Sequence, residues 1–421
     1  MSSTEQTCSA LSSSHDSVAG IIDRLARSLV LKPLSLISDG QLTLVESDRT
    51  DTFGTAGASL QATLRVRDPG FYRRIAFGGT IGAGEAYMDH LWDCDDLPAL
   101  IRIMVRNQEA QQRMENGAAR FAGAVQRLLH RLNDNTRSGS RKNIAAHYDL
   151  GNDFYRLFLD PTMAYSCGIF ERDDSTLEEA STAKFDRICR KLGLTAGMKV
   201  LEIGTGWGGF AIHAARNYGC HVTTTTISRQ QHDFAARQIA VAGLDDRITL
   251  LLQDYRDLTE EFDRLVSIEM IEAVGDRHLP EFFGVCCQRL KTDGAALIQA
   301  ITTPDRNYDR YLKTPDFINR CIFPGSCCPS PGAMSRAIAK NTDLRLAQLD
   351  DLTPHYARTL GEWRSAFRAR LDEVRAMGYD ERFIRMWDFY LCYCQGGFAE
   401  QYTGLLHLLY ARPDFRVESP T

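Results

Sequence analysis

Residues 198–210, MKVLEIGTGWGGF, constrain this chain more than any other stretch. A short apolar run reads as a strand, Gly204-x-Gly206-x-x-Gly209 follows as a turn, and the next residues carry a helical pattern. Glycines in such a turn accept backbone angles closed to other residues and let main chain approach a bound nucleotide-like group. A strand that must pass into a helix through a tight, phosphate- or ribose-sized cradle is the opening unit of a doubly wound α/β sheet.

The surrounding sequence supplies the rest of that sheet. CHVTTTTIS, DRITLLLQD, DRLVSIEMIE and GAALIQAIT are further short apolar runs, separated by the helical segments RQQHDFAARQIAVAG and HLPEFFGVCCQRL. Strands alternating with helices predict a mostly parallel, Rossmann-like sheet. Upstream, residues 18–130 combine a helix opening at Val18, an alternating strand at 59–68, a Gly-rich turn and a helix around Leu97–Val105. We read these as a smaller α+β domain. Residues 1–17 are polar and serine-rich and read as disordered, 131–143 read as a linker, and 144–421 form the main domain, closed by a helical cap beyond Thr302.

Composition enters mainly by exclusion. A net charge of -5 argues against sequence-independent nucleic-acid binding. No run of about eighteen apolar residues predicts a membrane span. The twelve cysteines include adjacent pairs that are poor disulfide partners, and no secretory segment precedes them, so a reducing cytoplasm and buried thiols are expected. No Cys/His set completes a metal site.

The second strand bears on the cofactor. A nicotinamide dehydrogenase ends it in a carboxylate for the ribose; here it ends TTTTIS, then Arg229-Gln230-Gln231. Thr226, Ser228 and Gln231 could hold a ribose or an amino-acid tail, and Ser228 also suits a helix N-cap.

The segments HYDLGNDFY (147–155), MAYSCGIF (163–170), LEIGTGWGGF (201–210), TTISRQQ (225–231), LLQDYRDL (251–258), IEAVG (271–275), IFPGSCCPS (322–330), PHYARTL (354–360) and FYLCYCQGGF (389–398) resemble, in that order, the cyclopropane-fatty-acid-synthase family, which includes the mycolic acid methyltransferases. The likeness covers about 140–412, and the N-terminal part resembles, more weakly, the lipid-binding domain of bacterial members. It implies a class I S-adenosylmethionine-dependent methyltransferase acting on unsaturated phospholipid acyl chains. Tyr165, Ser166, Leu201, Glu202, Gly204, Gly206, Trp207 and Gly209 would hold the cofactor, Thr226–Gln231 its ribose and tail, and Asp254 and Tyr255 its adenine. A bicarbonate ion near the reactive centre would be held by Cys167, Glu272, Ile301 and Tyr356, with Cys394 a further active-site cysteine. Gln299 stands where several members have a histidine, and an amide cannot shuttle protons as imidazole can. Family members are often dimers, so a homodimer is also implied.

The chemistry suits these residue types. An alkene attacks a methyl sulfonium only when held in line, and the cation that follows favours aromatic surroundings such as Tyr165, Phe170, Tyr356 and Trp387. A small base then takes a proton. Plainer roles stand beside these: Glu272 as a helix-capping carboxylate, Cys167 and Cys394 as buried apolar groups, His147 as an internal hydrogen-bonding group, and the Trp387–Tyr393 stripe as core. Ring formation leads, with non-cyclising methylation as its rival. Methylation of a small amine and a non-catalytic lipid-binding module are the remaining alternatives. Contact with the inner face of a membrane could come through Arg65, Arg67, Arg73 and Arg74, or those arginines could form an ordinary solvated face.

Overall fold

The computed structural model describes residues 23–116 and 150–416. The serine-rich start, the 131–143 linker and His147 lie outside the described residues. The chain divides into two compact units, one drawn from Met1–Leu129 with Gly378–Gly396 and the other from His130–Met377 with Gly397–Thr421.

In the first unit a four-stranded sheet has the order β2-β1-β3-β4, with β1 at Gln41–Val45, β2 at Thr50–Gly54, β3 at Gln61–Val66 and β4 at Trp92–Cys94. Only β3 was legible in the sequence; β1 and β2 are short and partly exposed, so their apolar signal is weak. The Gly-rich stretch is a helix, Gly70–Met88, broken at Gly79, whose φ of 57° is open to glycine. Segment 378–396, expected in the cap of the main domain, clusters with this unit instead. The reason is apolar: Phe389 packs on Tyr87 and Trp92 at ring distances of 5.6 and 6.4 Å, and the Arg385 guanidinium lies 3.9 Å from the centre of the Tyr87 ring.

The second unit is built on a seven-stranded sheet of order β10-β11-β9-β8-β5-β6-β7. Its strands are β5 (Lys199–Ile203), β6 (His221–Thr226), β7 (Ile248–Leu252), β8 (Phe262–Ile268), β9 (Leu290–Thr302), β10 (Arg345–Asp351) and β11 (Gly404–Ala411). Strands β5 to β9 run parallel, and β11 and β10 extend the β9 edge antiparallel. Buried Leu201, Leu265 and Leu297 fill the sheet's middle, as expected of strands covered on both faces. The helix Leu177–Lys191 starts in a capping box between Thr176 and Glu179. Strand order reverses between β5 and β8, and ligands of such sheets bind in the crevice beyond the carboxyl ends of the strands at that point. The glycine turn follows β5, and Glu269–Glu272 follows β8.

Candidate active site

The turn after β5 is shaped as its glycines require. Gly204, Gly206 and Gly208 have φ of 100°, 53° and 93°. A Cβ at Gly206 would project into open space, whereas one at Gly209 would meet the Thr162 carbonyl at 2.7 Å. This is a cradle that can receive a cofactor from one side while the 163–170 segment backs the other. Trp207 is buried with its indole N–H donating to Asn152 at 2.7 Å. Tyr165 packs between Tyr155 and Trp363 at 5.1 and 5.2 Å.

The remaining cofactor residues sort into three settings. Glu202 is buried at the end of β5, takes a 2.6 Å hydrogen bond from Thr224, and is pushed by burial to a pKa of about 8. Thr226, Ser228 and Gln231 form one turn, in which the Thr226 hydroxyl donates to the Gln231 amide oxygen at 3.0 Å and Ser228 caps the next helix. Both roles read for Ser228 are thus compatible. Asp254 is engaged by Arg256 at 2.7 Å, and Tyr255 packs on Phe282 at 5.7 Å.

Beside the turn, a Cβ on Gly204 would touch the Met270 side chain at 3.1 Å, which places the Glu269–Glu272 segment against the cradle. Here the second group of expected residues converges. Glu272 is buried; one of its carboxylate oxygens accepts from Ile301 N–H at 2.5 Å, and the other has no partner. Burial and the nearby Glu269 raise its pKa to about 8, so Glu272 is largely neutral at pH 7. Cys167, Gln299 and Tyr356 also meet at this point, joined by a residue the sequence reading passed over.

That residue is Glu269. Its carboxylate accepts hydrogen bonds from Cys167 N–H at 2.9 Å, the Gln299 amide at 2.7 Å and the Tyr356 hydroxyl at 2.5 Å. Three elements remote in sequence therefore close on one side chain. Glu269 is half-buried and has a left-handed backbone, φ 48°. Burial raises its pKa, against the pull of Tyr356, Cys167 N–H, Lys184 and Gln299. The signal available was a second acidic residue, three before Glu272, at the carboxyl end of a central strand.

Two further groups were missed. Lys184 is fully buried and donates to Ser166 Oγ at 2.6 Å, and burial lowers its pKa although Glu269 opposes this. His407, opposite Gln299 in the β9–β11 register, meets the Gln299 amide oxygen at 2.7 Å, and burial lowers its pKa to about 3. A neutral His407 thus turns the Gln299 amide nitrogen toward Glu269. Burial holds the Cys167 thiol well above its ordinary pKa, so no thiolate stands ready to trap a cation. Tyr356 stacks on Phe398 at 4.2 Å. Phe170 carries the Arg358 guanidinium over its ring at 4.0 Å. Cys394 and Trp387 lie on the helix Glu381–Ala399, in the segment that clusters with the first unit.

Comparison with known proteins gives a concordant result. The family model "Mycolic acid cyclopropane synthetase" matches residues 135–408. The tuberculostearic acid methyltransferase of Mycobacterium tuberculosis is 37% identical over 379 residues, covering 86% of this chain and 85% of that protein. The cyclopropane-fatty-acyl-phospholipid synthase of Escherichia coli K12 is 38% identical over 360 residues, covering 84% and 89%. The crystal structure of the mycolic acid cyclopropane synthase CmaA1 with SAH and CTAB superposes with a TM-score of 0.60 at 34% identity, over 64% of this chain and 98% of that one.

Proposed function

The chain belongs to the mycolic acid cyclopropane synthetase family, and from that premise we propose that it adds a one-carbon unit from S-adenosylmethionine to the cis double bond of an unsaturated phospholipid acyl chain, forming a cyclopropane. The observation that carries this reading is the meeting of Cys167, Glu269, Glu272, Gln299 and Tyr356 beside the glycine cradle, at the reversal point of the sheet.

When bound, the cofactor supplies an electrophilic methyl group. Gly204, Gly206 and Gly209 leave room for it, while Tyr165 and Trp207 wall the space. Glu202 is assigned to the cofactor, Thr226, Ser228 and Gln231 to its ribose and tail, and Asp254 and Tyr255 to its adenine. Tyr165 and Tyr356 offer aromatic faces to a cationic chain, and the neutral Cys167 thiol does not intercept it. A separate bicarbonate does not fit this site: the Cys167 N–H and Tyr356 hydroxyl, two of its expected donors, are spent on Glu269. Cys394 keeps the active-site role that family resemblance implies.

A second reading, a methyl- or methylene-branched chain without a ring, is favoured by Gln299, whose amide replaces a proton-shuttling group. The similarity to a protein named for tuberculostearic acid supports it too.

We place the enzyme at the cytoplasmic face of a membrane. None of the described cysteines is bridged, and among the described residues no helix is long and apolar enough to cross a bilayer. Three of the four arginines expected to meet lipid are held by acidic partners: Arg67 by Asp93, Arg73 by Asp23 and Arg74 by Asp89. Exposed Leu25, Leu29 and Phe77 on the first unit are the better candidates for attachment. A homodimer enters the proposal through family resemblance alone.

The test is incubation of purified protein with S-adenosylmethionine and vesicles of cis-unsaturated phospholipid, followed by mass spectrometry and proton NMR of the released fatty acids. A gain of CH2 with high-field ring protons is expected. The same gain with vinylidene signals, or two further hydrogens with a branched methyl, would replace it with the second reading. No gain on any lipid despite cofactor binding would overturn both and point to a small-molecule acceptor.

A further inference from the structure

We infer that Glu269 is the base of this reaction, a carboxylate built into the chain at the place where a free anion would otherwise have to bind. The inference rests on the proposed acyl-chain chemistry. Its geometric basis is the convergence of donors from three elements, the 163–170 segment, β9 and the helix Thr353–Ala369, on one side chain. Those donors are Cys167 N–H, the Gln299 amide and the Tyr356 hydroxyl. Three donors stabilise the charged form of a carboxylate and leave it oriented.

The neighbouring carboxyl cannot take this part. Glu272 receives only backbone N–H groups, Ile301's and its own, and stays largely protonated at neutral pH. Two carboxyl groups in one site commonly divide their roles, and three donors meet Glu269 while Glu272 keeps one oxygen without a partner. Lys184, fully buried and close enough to act on Glu269 electrostatically, opposes the rise that burial imposes on that carboxyl.

Two features argue that the position is built rather than incidental. Glu269 holds a left-handed backbone, φ 48°, which costs a non-glycine residue energy that the surrounding contacts must offset. Its orienting amide is itself oriented, because His407 occupies the Gln299 oxygen and leaves the nitrogen for Glu269. Gln299 and His407 are therefore positioning residues for this base.

The alkene π pair forms the new C–C bond to the transferred methyl as the C–S bond breaks, and that electron pair leaves with S-adenosylhomocysteine. The chain carbon left cationic is neutralised when a proton passes to a Glu269 carboxylate oxygen. The electrons of the broken methyl C–H bond then close the ring, or, if a 1,2-hydride shift has first moved the cation onto the methyl-bearing carbon, form a methylene. The proton leaves Glu269 to solvent between turnovers.

The test uses the full-length protein and three forms of it: wild type, Glu269→Gln and Glu269→Gly. Glycine adopts φ 48° without strain, so Glu269→Gly keeps the backbone while opening the ion's space. Titration with 13C-labelled bicarbonate, read by NMR line width, should show no saturable binding to wild type and saturable binding to Glu269→Gly. On phospholipid vesicles, wild-type turnover should be the same in bicarbonate-depleted and bicarbonate-supplemented buffer. Glu269→Gln should lose about 100-fold or more in turnover, with S-adenosylmethionine affinity by calorimetry within about twofold, and Glu269→Gly should regain turnover on adding bicarbonate. Wild type that binds the labelled ion, or loses turnover without it, overturns the inference, as does a Glu269→Gln enzyme near wild-type rate. Absence of any lipid product from wild type would instead defeat the acyl-chain reading, while the bicarbonate titration would still decide whether Glu269 occupies the ion's place.

Discussion

Replacing Glu202 with glutamine should flatten the pH dependence of stability of this protein. Glu202 is 3% exposed, and burial raises its pKa from an ordinary 4.5 to about 8, with Thr224 the one group pulling the other way. The folded state thus binds a proton that the unfolded chain releases. The stability this gives is fully present below pH 4.5 and is lost as pH rises toward 8. Each pH unit across that window is worth about 1.4 kcal/mol for one proton, so wild type should lose on the order of 3 kcal/mol from this group between about pH 5 and 8. Glutamine has the same shape and hydrogen-bonding ends but no titrating proton, so Glu202→Gln should lack that loss. Thermal melting of cofactor-free protein across this range should show the two curves diverging by roughly 5–10 °C at the alkaline end, with the variant the more stable. Glu272 titrates in the same region but is common to both proteins, so their difference isolates Glu202. Parallel curves would refute the reasoning and mean that Glu202 is ionised in the fold.

Gly204→Ala must place a side chain at φ 100° and press on Met270; stability should fall by about 1–3 kcal/mol, and S-adenosylmethionine affinity by about tenfold or more, read by calorimetry. Tyr356→Phe removes the hydroxyl that donates to Glu269; turnover on phospholipid vesicles should fall roughly 100-fold with cofactor affinity nearly unchanged. Lys184→Met removes the buried amine that donates to Ser166 and acts on Glu269, so urea unfolding should show a loss of about 1–3 kcal/mol.

The parallel sheet could be read from the sequence because strands buried on both faces become apolar runs, and helices between them keep a 3.6-residue period. Strands β1 and β2 could not: each is five residues long, too short for the alternation of QLTLV to stand out, and β2, TDTFG, buries no residue fully. In the site, Cys167, Glu272, Ile301 and Tyr356 were marked by motifs. Glu269 was not, because its aim depends on a left-handed backbone angle that no residue type announces. Lys184 sits in a helix that reads as amphipathic, and only the packing of Ser166 beside it explains its burial. His407 depends on the antiparallel register of β11 against β9, a long-range pairing with no local signature. In the Trp387–Tyr393 stripe, Trp387 and Phe389 are buried and pack among aromatic residues of the first unit.

The return of residues 378–396 to the first unit has a consequence for the order of events on the ribosome. A nascent chain carries Tyr87 and Trp92 long before it carries Phe389 and Arg385, which cover them. The N-terminal unit must therefore wait, with aromatic surface uncovered, while nearly the whole of the sheet-bearing unit is synthesised. Domains usually fold from the N-terminus onward as they emerge; here the first to be started cannot be completed until residue 396 has been made.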